Sequence, residues 1–223
     1  MKNVCFVNGS PKGKEAISLH FLEVLNNLID GNEDCKYFID VKTSTKGNNL
    51  EGDFEKMAKA DAIIISFPLY VYCLPGVLMR FLEQYYLFLK NKSEFNKEVK
   101  VYAIVNCGFP EPEINNEAIR VIQNFCNRLN LNWRFGISIG CGPFVAATKD
   151  VPIMNKSSRN INMALLKMTK DIENNVDSKK ENILIKPSFP KSLLLRMGGS
   201  VWIKIAKKNG LNKFDLYKRP YVS

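Results

Sequence analysis

The run Asp61 to Ser66 reads Asp-Ala-Ile-Ile-Ile-Ser, a strand-length stretch centred on three β-branched isoleucines and apolar on both faces. Such a strand has no side to present to water, so it belongs in the middle of a parallel sheet with helices packed above and below. Parallel neighbours need helical crossovers, and the rest of the chain is patterned to supply them. Val4 to Val7 is a short apolar strand, followed by a helix carrying Ile17, Leu19, Phe21, Leu22, Val24 and Leu25. Cys35 to Val41, Val99 to Val105 and Trp133 to Ile139 read as further strands. Phe54 to Ala60, Val77 to Leu89, Pro112 to Leu131 and Met154 to Ile172 read as helices. Five strands alternating with helices predict an α/β doubly wound parallel sheet with right-handed crossovers.

With 223 residues, 46% of them apolar, the chain can bury a full core. The expected division is one domain over residues 1–178 and an appendage over 179–223. No 18-residue uncharged apolar run occurs, and the N-terminus leads straight into a strand. The expectation is therefore a cytoplasmic protein with no membrane span. Six cysteines stand singly at 5, 35, 73, 107, 126 and 141, with no Cys-x-x-Cys pair. That spacing gives no support to a zinc or iron–sulfur site and suits a reducing compartment. Charge is concentrated at one end: residues 183–223 hold nine Lys and Arg against Asp215 alone, which is +8 of the formal +10. A subunit contact, an anionic nucleotide and a membrane surface are open readings of that tail, in that order, and Gly198-Gly199 is expected to interrupt any helix there.

In doubly wound sheets ligands sit outside the carboxyl ends of the strands, so the loops that follow the strands carry the chemistry. The loop after the first strand, Asn8-Gly9-Ser10-Pro11-Lys12, leads into a helix whose first N–H groups have no helical partners. Ser10, Lys12 and Ser18 add hydroxyls and a positive charge there, a combination suited to a phosphate. It is neither a Walker loop, because Gly9 is not followed at the required spacing by Gly-Lys-Ser, nor a dinucleotide fingerprint, because Gly-x-Gly is missing. The loop after the third strand, Phe67 to Gly76, is long, apolar and aromatic, and the fourth ends in Asn106-Cys107-Gly108-Phe109-Pro110. A phosphate loop beside an apolar loop describes a ligand with a phosphate at one end and a flat apolar group at the other. Flavin mononucleotide (FMN) is the common molecule of that shape.

Gly9-Ser10-Pro11-Lys12 with Ser18, Pro68-Leu69-Tyr70-Val71 with Leu74-Pro75-Gly76, and Asn106-Cys107-Gly108-Phe109 resemble the three flavin loops of the flavodoxin-like NAD(P)H-dependent FMN reductases. The resemblance covers about residues 1–175. In the tail, Lys207-Lys208-Asn209-Gly210-Leu211 and Asp215-Leu216-Tyr217 resemble the C-terminal extension of clostridial-type members. It implies a flavodoxin-like sheet of order 2-1-3-4-5, FMN as cofactor, NAD(P)H as co-substrate, a homodimer or higher homo-oligomer, and a small-molecule electron acceptor such as a flavin, quinone or nitroaromatic. It also implies that Ser10, Lys12 and Ser18 hold the phosphate. Pro68, Leu69, Tyr70 and Val71 would then line the isoalloxazine, with Asn106, Cys107, Gly108 and Phe109 at its polar edge. The chain departs from the family between Gly9 and Ser18, where Lys-Gly-Lys-Glu-Ala-Ile replaces the usual Gly-Asn-Ser or Gly-Asn-Thr.

The main alternative is a flavodoxin-type electron carrier, against which the basic balance counts, since carriers that dock on cationic partners are strongly acidic. No recognisable nucleic-acid motif is present. Cys73, Cys107 and Cys141 fall in ligand loops but have no adjacent base, so buried small side chains are expected. His20 is expected to be an ordinary helix residue, and Glu111 and Glu113 to serve the dipole of the helix they precede.

Overall fold

The computed structural model describes residues 2–30, 33–47, 49–92, 94–147, 155–174, 181–188 and 191–219. The strands are β1 (Val4–Asn8), β2 (Lys36–Asp40), β3 (Ala62–Pro68), β4 (Lys100–Asn106), β5 (Asn132–Ile139) and β6 (Ile183–Ile185). They form one sheet in the order β2-β1-β3-β4-β5-β6, and every pairing is parallel. Helices α1 (Ile17–Asn26), α2 (Val41–Ser44), α3 (Leu50–Lys59), α4 (Gly76–Lys90), α5 (Asn116–Leu129), α6 (Gly142–Ala147), α7 (Asn155–Glu173) and α8 (Lys191–Lys208) complete the chain. Ala62 to Phe67 are all buried, as a central strand requires, and β1 is buried along its whole length.

The expected five strands are six. Ile183–Ile185 pairs in parallel with β5 at Ile137–Ile139, and Gly140 N donates to Ile185 O at 3.0 Å. Three residues inside a basic tract are too few to show a strand period, and β6 exists because it covers the edge that β5 would otherwise expose. The expected boundary between 178 and 179 lies outside the described residues, as does Met154, the expected first residue of α7.

Three helices lie outside those that the apolar pattern predicts. Asp40 ends β2 and accepts the Thr43 N–H at 3.1 Å, which starts α2 inside the polar stretch 42–52. Gly142-Pro143 opens α6; proline is tolerated in a first turn because its missing N–H would have had no helical partner there. In the tail, α8 runs unbroken through Gly198-Gly199. Conversely, the stretch Pro112–Leu131 divides into a 3₁₀ turn at Pro112–Asn115 and α5, which Asn130 closes in the left-handed conformation at φ 54°.

Two compact units result, Met1–Pro187 and Ser188–Ser223. The first holds the sheet and a core in which Phe54, Phe81 and Tyr85 pack edge-on and tilted against one another beneath β1 and β3. The second consists of α8 and a 3₁₀ turn at Lys213–Tyr217, closed by a reciprocal cap between Asn212 and Asp215.

Candidate functional site

Because β1, β3, β4 and β5 run parallel, the loops that follow them emerge at one end of the sheet. The first, from Asn8 to Gly13, is pinned by a buried amide. Asn8 Nδ2 donates to Gly13 O at 2.9 Å and to Asp40 Oδ2 at 3.0 Å, while Asn8 Oδ1 accepts the Ser10 N–H at 3.3 Å. Ser10 Oγ in turn accepts the Lys12 N–H at 3.3 Å. Gly9 N donates to Ser66 O at 2.8 Å, and a Cβ at Gly9 would stand 2.6 Å from Leu78 Cδ2, so a side chain there would have to displace Leu78 of α4. Sequence reasoning missed Asn8 and Asp40, although an Asn at the end of a strand and an Asp at the end of its neighbour are what such a clamp needs.

A 3₁₀ turn at Gly13–Glu15 then delivers the chain to α1, whose N-cap is Ala16. Alanine offers no side-chain acceptor, so the first N–H groups of α1 gain no cap from that residue. Ser18, in the first turn, is buried, and its Oγ accepts a hydrogen bond from Asn106 Nδ2 at 3.2 Å. The same Nδ2 donates to Phe67 O at 3.3 Å. Asn106 therefore ties the end of β4 to both the α1 start and the end of β3.

The loop after β3 is a tight two-residue hairpin. Tyr70 N donates to Cys73 O at 2.9 Å and Cys73 N to Tyr70 O at 3.0 Å, leaving Val71 and Tyr72 at the tip with φ of 49° and 60°. Two consecutive positive φ values are the pattern of a type I′ turn, which favours Asn and Gly. A β-branched and an aromatic residue there are strained by roughly 1–3 kcal/mol each. Leu69 N donates to Asn106 O at 2.8 Å and holds the hairpin against β4.

These loops enclose a cavity of about 150 Å³. Ser10, Lys12, Ser18, Pro68, Leu69, Tyr70, Asn106, Cys107 and Gly108, all singled out from the sequence, line it together with Ile17 and Pro143. Val71 and Phe109 are not in the lining: Val71 is 93% exposed at the hairpin tip, and Phe109 is exposed beside it in sequence to Gly108. His20 faces a different cavity between α1, α6 and α7, and Glu113 pairs with Lys186 at 2.7 Å.

The lining is divided in character. Hydroxyls, the α1 start and the charged Lys12 lie toward β1; Pro68, Leu69 and Tyr70 lie toward β3. Burial pushes the Cys107 thiol above its ordinary value and Cys141 up to about 11, so both are protonated near neutrality. The Cys107 S–H points to Phe109 O at 3.4 Å. No His, Cys, Asp or Glu cluster among the described residues would hold a metal ion.

A hydroxyl- and lysine-bearing end and an apolar end on one cavity would suit FMN, whose phosphate and ring system differ in the same way. At about 150 Å³ the enclosed part is smaller than a whole drug-sized ligand needs, so a bound flavin would also lie on the exposed rim.

No protein-family model matches the chain, and no curated protein matches it. Solved structures do. An NADH:FMN oxidoreductase in its apo form aligns with 87% of this chain and 99% of its own, at a TM-score of 0.57 and 13% identity. General stress protein 14 from Treponema denticola, in complex with FMN, aligns with 77% of this chain and 99% of its own, at 0.56 and 13%. An NAD(P)H:quinone oxidoreductase from Methanothermobacter marburgensis aligns with 80% of this chain and 100% of its own, at 0.55 and 12%. With the strand order β2-β1-β3-β4-β5 extended by β6, the chain has the flavodoxin-like α/β fold of these structures.

Proposed function

We propose that the chain is an FMN-dependent oxidoreductase that takes hydride from NAD(P)H and passes it to a flavin, quinone or nitroaromatic-type acceptor. The observation that carries this reading is the single cavity in which a hydroxyl- and lysine-bearing helix start meets an apolar aromatic loop, at the carboxyl ends of the strands of a flavodoxin-like sheet. The names of similarly folded proteins, an NADH:FMN oxidoreductase and a quinone oxidoreductase among them, support it.

FMN, when bound, supplies the hydride acceptance and release, and this chain's residues bind and orient it. Ser10, Ser18, Lys12 and the α1 N–H groups would hold the phosphate. Asn8 and Asp40 keep that loop in shape through the amide contacts described above. Pro68, Leu69 and Tyr70 would exclude water from one face of the ring, and backbone N–H groups of the 106–109 loop would face its polar edge. Among the described residues no carboxylate or histidine lines the cavity, so the side chains contribute positioning rather than acid–base chemistry. A cytoplasmic homodimer belongs to the same reading; exposed Val71, Tyr72 and Phe109 at the mouth supply an apolar surface for a second subunit.

The test is an anaerobic visible spectrum of the protein titrated with FMN and then with NADH or NADPH. Bound flavin that bleaches supports the reductase. Bound flavin that neither nucleotide bleaches would move the chain to the electron carriers, and no flavin binding would refute the cofactor assignment.

A further inference from the structure

Residues 188–223 hold eight Lys and Arg against one acid, Asp215. That acid is engaged within the unit, by Lys218 at 2.6 Å and by the Asn212 N–H at 2.7 Å. Helix α8 contains no acidic residue. Trp202 and Ile205, three residues apart and thus on one face, are both exposed, Trp202 by 63%. At about 100° per residue, Lys204, Lys207 and Lys208, also exposed, fall on the opposite side from Trp202. After α8 the chain turns at Gly210 (φ 74°), and Leu211 N donates back to Ala206 O at 2.9 Å. The capped 3₁₀ turn that follows exposes Phe214 by 79% and Tyr217 by 76%, with Lys213 beside them. The unit is thus ordered by its own caps while leaving its aromatic rings uncovered.

We propose that this C-terminal unit is a docking surface for an anionic lipid bilayer, on which α8 lies in the headgroup plane with Trp202 and Ile205 toward the acyl chains. Charge complementarity requires a negative partner, and the exposed rings require one with an apolar layer next to the charge. An anionic membrane interface offers both, and basic helices with an aromatic face are the form that uses them. A second copy of the chain meets the first requirement poorly. Its residues 1–187 carry 24 Lys and Arg against 21 Asp and Glu, and so have no net negative charge to offer. A nucleic acid would satisfy the lysines but leave Ile205 and Leu216 without a partner. No helix among the described residues is long and apolar enough to cross a membrane, so the contact is peripheral. The inference does not depend on the flavin.

The experiment is co-sedimentation of the full chain with phosphatidylcholine vesicles, with and without phosphatidylglycerol, while tryptophan emission is recorded. Binding to the anionic vesicles alone, reversed by salt and accompanied by a blue shift, is the expected result. Trp133 is the only other tryptophan, so Trp202→Phe should abolish most of the shift. Each lysine at such a surface contributes about fivefold in affinity, so Lys204→Gln, Lys207→Gln and Lys208→Gln together should weaken binding by about 100-fold. Absence of vesicle binding at low salt would overturn the proposal. So would vesicle binding that the triple variant leaves unchanged, or an oligonucleotide that binds while vesicles do not.

Discussion

Ser10 is buried, receives the Lys12 N–H and sits where the α1 start opens onto the cavity. A carboxylate there would face any phosphate at close range, and like charges so placed cost several kcal/mol. Ser10→Asp is expected to weaken FMN binding by roughly 100-fold or more, read by quenching of flavin fluorescence; an unchanged titration would remove the phosphate from this loop. The thiols give a second expectation at this scale. Burial pushes Cys5 and Cys126 up to about 12 and Cys141 up to about 11, from an ordinary 9.0. Their stabilising contribution is complete below pH 9, where both folded and unfolded thiols are protonated, and is lost as pH rises through the folded values. The urea midpoint should therefore fall between about pH 9 and pH 11, less steeply in a Cys126→Ala variant, and an identical fall in that variant would refute the thiol contribution. Most residues of the cavity were legible because each follows a strand whose end the apolar pattern marks. The exposure of Val71 was not legible because its placement rests on hairpin geometry: its backbone is left-handed and its side chain points to solvent, which a run of apolar letters does not reveal.

Elements with a long period were the legible ones. The helices α4 and α5 and the strands β3 and β4 lie within a few residues of their expected ends, because several apolar positions at one spacing outvote any single residue. The short ones, α2, α6 and β6, depend on a cap, a proline in a first turn and an edge to cover, and three to six residues carry no period. The hairpin at 70–73 is the element whose local sequence disagrees most with its shape. Replacing Val71 with Asn and Tyr72 with Gly supplies the residues that a type I′ turn favours. The double variant is expected to raise the unfolding free energy by about 1–3 kcal/mol in urea titration, since both side chains it removes are exposed. A loss of stability would mean that Val71 and Tyr72 make contacts that outweigh the backbone strain.

Across the whole molecule, the two ends of the sheet have different tasks. Loops at the carboxyl ends form the cavity, whereas the amino ends of β4 and β5 are stapled to α7. Arg134 holds Asp171 through two hydrogen bonds, Nε to Oδ2 at 2.9 Å and Nη2 to Oδ1 at 3.0 Å, and Tyr102 OH donates to Oδ2 at 2.8 Å. Lys100 Nζ donates to Asp171 O at 2.6 Å, and Lys2 Nζ caps Ile172 O, so cations meet the carbonyls that end α7. The Arg134 and Asp171 side chains are 4% and 0% exposed, and this proximity was invisible in a sequence where they stand 37 residues apart. Removing the carboxylate leaves a guanidinium buried with its main partner gone, which costs about 3–5 kcal/mol. Replacing both partners with apolar residues of similar volume removes the buried charge altogether and costs far less. Asp171→Ala should therefore unfold at much lower urea, and Arg134→Met with Asp171→Leu should recover most of that loss. FMN affinity in the folded fraction should stay the same in both, because no residue of the cluster lines the cavity. If the single variant lost under about 1 kcal/mol, the staple would be ornamental, and if flavin affinity fell in the double variant, the two ends of the sheet would be coupled rather than independent.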